Sequence, residues 1–203
     1  LFRKTFAIQV FDKRRKLMNE IIQSIITRRS VRAFEEKQIP DEALHDILEA
    51  AKFAPSGMGK QAWHFAAVQN KEKIQELITA TKEVMKNSPI EHFRTIGNNP
   101  EFNPFYAAPT IIITAYEKDS ATGVSDCAVA LENIFLAAHS IEIGSCWIHI
   151  LAFAGNDPKV RSILTEFGIP ENYEISGTAA LGFSSKEAPK AAPRKEGTVS
   201  IYK

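Results

Sequence analysis

The chain has 203 residues, long enough for one hydrophobic core, and its 44% apolar and 24% charged residues are an ordinary globular balance. A formal net charge of +1 excludes a global field for nucleic acid or anionic lipid. The two cysteines, Cys127 and Cys146, form no C-x-x-C pair, which excludes a disulfide framework and a thiolate metal site and fits a reducing cytoplasm.

Residues 1–17 hold six basic side chains against Asp12 alone, so the remaining residues sum to −4. This stretch is expected to be an N-terminal extension, added to the chain or read from an upstream start, with Met18 opening the functional domain 18–203. Ile21, Ile22, Ile25 and Ile26 recur at helical spacing, so 18–29 reads as a helix that delivers RRSVR to its end. Asp41 is placed to cap a second helix, in which Leu44, Ile47, Leu48 and Ala51 share a face, and Pro55, Ser56 and Gly57 stop it.

A strand over 63–69 and an amphipathic helix over 71–86 follow. Residues 87–109, with four prolines, read mostly as a connecting loop with room for one short helix. Next come a buried strand at 110–116, an almost wholly apolar helix at 125–142, and a strand at 144–150. Asn156 is expected to cap a helix with Pro158 in its first turn, and a β-rich run occupies 173–183. Strands separated mainly by helices imply a sheet covered by helices, and no run is long and apolar enough to cross a bilayer.

Three arginines and a hydroxyl lie within five residues at Arg28, Arg29, Ser30 and Arg32. Guanidinium forks suit a phosphate. Yet a solvated charged corner at a helix end accounts for the spacing better, because basic side chains there also favour the macrodipole. GMGKQA at 57–62 matches G-x-G-x-x-A, but a helix precedes and a strand follows, the reverse of a dinucleotide-binding turn. The five histidines show no H-E-x-x-H spacing and no serine lies in G-x-S-x-G, so metal and hydrolase readings fail. His139 reads as a satisfied core residue, and Cys146, with no cation beside it in sequence, as packing.

In order, RRSVRAF, EAAKFAPSGMGKQAWHF, AAPTIII, DCAVALENIFLAAHSIEIGSCWI and IPENYEISGTAALGF, followed by a basic Pro-rich tail, resemble the nitroreductase family of FMN enzymes. The resemblance runs from about Met18 to the C-terminus. It implies an α+β fold, with a central mostly antiparallel sheet flanked by helices, in an intertwined homodimer. It implies bound FMN, NADH or NADPH as donor, and ping-pong electron transfer through flavin N5 to a small nitroaromatic or quinone. Relatives with this fold also perform other flavin-dependent oxidations, dehalogenation or flavin sequestration.

By the same resemblance, Arg28, Arg29 and Ser30 meet the flavin phosphate and ribityl chain. Arg32 lies towards the pyrimidine edge, where a fixed guanidinium stabilises the charge gained on reduction. Pro55, Ser56 and Gln61 reach the flavin of the partner subunit, and Arg194 in the tail closes on the phosphate, with Lys190 and Lys195 as lesser candidates. No side chain is assigned a catalytic role, because the flavin carries the chemistry. Gly59 and Ala62 depart from the family's usual Asn and Pro, and Ile148, His149 and Ile150 replace a Gly-rich stretch near N5, leaving the N5 donor unassigned. Phe93, Phe102, Phe105 and Tyr106 are expected to line or lid the acceptor pocket. The rival reading, a nucleic-acid or protein interaction module built on RRSVR and the basic N-terminus, is opposed by the net acidic body.

Overall fold

The computed structural model describes residues 19–203; the expected extension at 1–17 and the proposed start at Met18 lie outside the described residues. Helix α1 spans Glu20–Thr27, and the Asn19 side chain caps it by accepting from the Ile21 N–H at 2.9 Å. It stops two residues before the expected end, because Arg28 is already extended at φ −52°, ψ 137°. The basic segment therefore leaves the helix as strand-like chain. Helix α2, Asp41–Lys52, starts from Pro40, whose fixed φ suits a helix entry; Asp41 is its first residue and not the expected cap.

Strand β1 is Trp63–Val68, and α3 covers Lys71–Lys86, the span expected from its periodicity. Within the expected loop, Glu91–Asn98 form helix α4, which packs on α3. Strand β2 is Thr110–Glu117 and α5 is Gly123–Ser140. Strand β3, Gly144–Ile148, is shorter than expected, since His149 turns into a short helix α6 at Ile150–Ala154. Helix α7, Pro158–Glu166, is capped by Asp157, not Asn156: its carboxylate accepts from the N–H groups of Lys159 and Val160. Strand β4, Tyr173–Gly182, completes the set.

The sheet order is β1-β2-β4-β3, with every named pair antiparallel. Alternation along β2 gives the sheet two dry faces. Ile111, Ile113 and Ala115 meet Leu77 of α3, Leu151 of α6 and Leu164 of α7 on one side. Ile112 meets Ile47 of α2 and Leu131 and Ile134 of α5 on the other. Full burial of each such isoleucine contributes roughly 1.5–3 kcal/mol. The resulting α+β architecture is three layers deep, with α5 lying under the sheet as an 18-residue strut. Among the described residues no helix is long and apolar enough to cross a membrane.

Within the proline-rich segment Phe105 is fully buried in the core against α3. Phe93 stacks edge-on against Phe153 of α6 at 4.9 Å, while Phe102 and Tyr106 are half-buried.

Candidate functional site

The segment after α1 runs along the free edge of β3. Val31 N–H donates to the Ser145 carbonyl at 2.9 Å, and Ser30 forms a parallel bridge with Ser145. Further on, Phe34 bridges Ser184 beyond β4. Backbone pairing thus fixes Arg28, Arg29, Ser30 and Arg32 as one cluster on a rigid edge. Gly144 is needed there, since a Cβ would come within 2.9 Å of Val31.

Each arginine has its own support. Arg28 stands over the Phe135 ring of α5 at 5.7 Å, and Arg32 over the Tyr106 ring at 6.0 Å. Arg29 donates through one nitrogen to the carbonyls of Ile26, at 2.9 Å, and Arg28, at 2.6 Å, closing the end of α1. Among the described residues its other N–H groups have no partner. Among the described residues none of the three pairs with a carboxylate. Three half-buried or exposed guanidinium groups held together without a counter-charge repel one another, and an anion would relieve that. The buried Ser145 hydroxyl, also without a hydrogen-bond partner among the described residues, lies on the same edge.

Two titratable groups register this positive field. His139, at the end of α5, makes a 2.9 Å hydrogen bond through Nε2 with Thr27, whose hydroxyl donates to the Gln23 carbonyl. The shared hydroxyl proton therefore leaves Nε2–H as the donor. Burial, then Arg28 and Arg29, hold His139 below its ordinary pKa. It is the satisfied residue expected, although half-buried rather than in the core. Cys146 is raised by burial, with Arg32 and then Arg28 pulling the other way. Cations absent from its sequence neighbourhood thus surround it in space, yet burial keeps it a packing thiol.

The second group of expected residues lies elsewhere. Pro55 and Ser56 lead into a 3-10 turn at Gly57–Gly59, and Ser56 Oγ accepts from the Gln61 N–H at 3.0 Å. Met58, Gly59 and Gln61 all have left-handed φ of 54°, 65° and 49°. For Met58 and Gln61 that costs about 1–2 kcal/mol each, so surrounding contacts must hold the turn. Gly57 N–H donates to Asp126 Oδ1 at 3.1 Å, and the Thr122 hydroxyl donates to Oδ2 at 2.9 Å. Asp126 lies in the first turn of α5, whereas His139 lies in the last. Thirteen residues separate them, roughly 20 Å at about 1.5 Å per residue.

Within one chain the two groups of residues therefore lie at opposite ends of α5. The fold brings Arg28, Arg29, Ser30 and Arg32 together, and keeps Pro55, Ser56 and Gln61 apart from them. Arg194 joins neither: the tail from Ser184 onward is exposed, and past Lys186 no hydrogen bond joins it to the body among the described residues. The sequence reading missed Asp126, Thr122 and Phe135 as supports. An acid four residues into a helix opposite a Pro-Ser-Gly turn was the one available signal.

A family model described as the nitroreductase family matches residues 25–183. A nitroreductase from Bacteroides fragilis, solved with bound FMN, is 42% identical, with a TM-score of 0.89 over 92% of this chain and 100% of that one. A second, from Desulfitobacterium hafniense and also with bound FMN, is 28% identical, with a TM-score of 0.82 over 91% of this chain and 100% of that one. An NADPH-flavin oxidoreductase of Vibrio harveyi is 25% identical across 91% of this chain and 74% of its own length.

Proposed function

The chain belongs to the nitroreductase family, and on that premise we propose that it is an FMN-dependent oxidoreductase, passing electrons from NADH or NADPH to a small nitroaromatic or quinone. The observation that carries this is the cluster of three arginines with no carboxylate partner among the described residues. Bound FMN would supply hydride acceptance and electron delivery through N5. The chain's own residues bind and orient it. Arg28, the free donors of Arg29 and the Ser30 hydroxyl are suited to the phosphate and ribityl chain; Arg32, exposed above Tyr106, is suited to the pyrimidine edge. There its charge favours the reduced state. Donor and acceptor take turns at one opening, in a ping-pong cycle.

The active unit in this reading is a homodimer. Ile21, Ile22, Ile25 and Ile26 form one side of α1 and are 67, 51, 50 and 47% exposed, a contiguous apolar face unusual for a monomer surface. The separation along α5 supports the same conclusion. Pro55, Ser56 and Gln61 serve the arginine cluster of the other copy, and Arg194 of the exposed tail closes on the phosphate.

The test is the visible spectrum of freshly purified protein. A flavin spectrum that bleaches with NADH or NADPH and returns with menadione is the expected result. Stoichiometric FMN that neither nicotinamide reduces would overturn the proposal.

A further inference from the structure

We infer that Asp126 is a positioning residue that acts in trans: its carboxylate sets the shape of the 56–61 turn in one subunit, and the flavin affected is the one held by the other subunit's arginines. This rests on the dimeric reading above.

Asp126 is 6% exposed. Among the described residues it has no cationic partner, and its two oxygens are met by two neutral donors, Gly57 N–H and the Thr122 hydroxyl. A buried carboxylate so placed is costly to keep, and the positive end of α5 offsets part of that cost. Its oxygens fix the spot where the turn touches its own helix. That contact is tight, because a Cβ on Gly57 would overlap the Thr122 hydroxyl and come within 2.8 Å of Thr122 Cγ2.

Beyond the contact, the chain passes through the left-handed Met58, Gly59 and Gln61. Met58 is 87% exposed and Gln61 is also exposed. Ser56 Oγ is turned inward to the Gln61 N–H. The turn is thus anchored at Gly57 and presents Met58 and Gln61 away from its own subunit. Released from Asp126, Met58 and Gln61 would relax out of their strained region, and the outward groups would lose their aim. Hydrogen-bond geometry, not charge, does the positioning. An asparagine keeps Oδ1 for Gly57 and can donate Nδ2 to the Thr122 oxygen.

The experiment measures FMN affinity of whole dimers by flavin fluorescence, with apo-protein melting as a folding control. Asp126→Ala should weaken FMN roughly tenfold or more, while Asp126→Asn restores affinity to within about threefold. An asparagine variant as weak as the alanine one overturns the geometric argument. The decisive arm uses dimers of two differently tagged chains, one Asp126→Ala and the other Arg28→Ala with Arg32→Ala. If Asp126 acts in trans, both lesions fall in one pocket, and the other binds one FMN per dimer with wild-type affinity. If no pocket of the mixed dimer binds normally, the inference fails. Should Asp126→Ala not fold, Gly57→Ala disturbs the same contact from the turn side and must give the same one-pocket result. A wild-type dimer that takes up no FMN would remove the proposed function and this inference together, whereas failure of the mixed dimer alone removes only the latter.

Discussion

Arg28→Ala separates the ligand-binding reading of the arginine cluster from that of a solvated corner. In the folded chain Arg28 is half-buried over Phe135 and has no carboxylate partner among the described residues, so little intramolecular bonding is lost with it. The cation-π contact contributes about 0.5–1 kcal/mol, and removing one of three like charges offsets part of that. Apo-protein stability should therefore move by less than about 1 kcal/mol. A charge-assisted hydrogen bond to phosphate contributes about 1.5–3 kcal/mol, so FMN should bind roughly 10- to 150-fold more weakly. The same change removes one of the two arginines holding His139 down, so its pKa should rise towards the ordinary 6.5. Fluorescence titration gives the affinity, NMR of the histidine ring gives the pKa, and thermal melting checks the fold. A folded Arg28→Ala protein that binds FMN as tightly as wild type would refute the reasoning.

His139 also gives the apo-protein a pH dependence: its folded pKa is depressed, so the unfolded chain binds the proton first as pH falls. Stability should drop as pH passes below about 6.5 and level off below the folded pKa, and His139→Gln should flatten that part of a melting-temperature profile. Both cysteines should resist a thiol reagent at pH 8 in the native protein and react fully once unfolded, since burial lifts Cys127 to about 12 and raises Cys146. Gly177→Ala should destabilise by about 1–3 kcal/mol, because its Cβ would come within 2.7 Å of the Trp147 indole nitrogen; tryptophan emission and denaturant titration would report it. Ile22→Lys with Ile26→Lys should leave the subunit folded, since both side chains face solvent within one chain, but sedimentation should show monomers with little bound FMN.

Periodicity made most of the fold visible in advance. The unbroken apolar run Ile111–Ile113, buried on both faces of the sheet, and the helical spacing of Ile74, Leu77, Ile78 and Met85, which reflects one buried face, marked β2 and α3 to within a residue or so of their bounds. Ends were harder. The pull that takes Arg28 out of α1 is a backbone pairing with Ser145, more than a hundred residues away, which local spacing cannot contain. Helix α6 was hidden because ILAFA is short and apolar, a pattern that strand and helix share. The burial of Phe105 was hidden because a proline-rich stretch is usually surface. At the candidate site the residue types were visible, and the resemblance already assigned Pro55, Ser56 and Gln61 to another copy's flavin, but the support from Asp126 was not, because its contact with Gly57 joins residues far apart in the chain and leaves no local pattern.

The four isoleucines along α1 have a practical consequence at the bench. If two copies must meet to cover them, dissociation exposes oily surface and opens both cofactor pockets at once, so apparent melting temperature and flavin retention become functions of how concentrated the sample is. Specific activity measured after heavy dilution would then fall with waiting time, and adding free FMN or more protein would slow that decline.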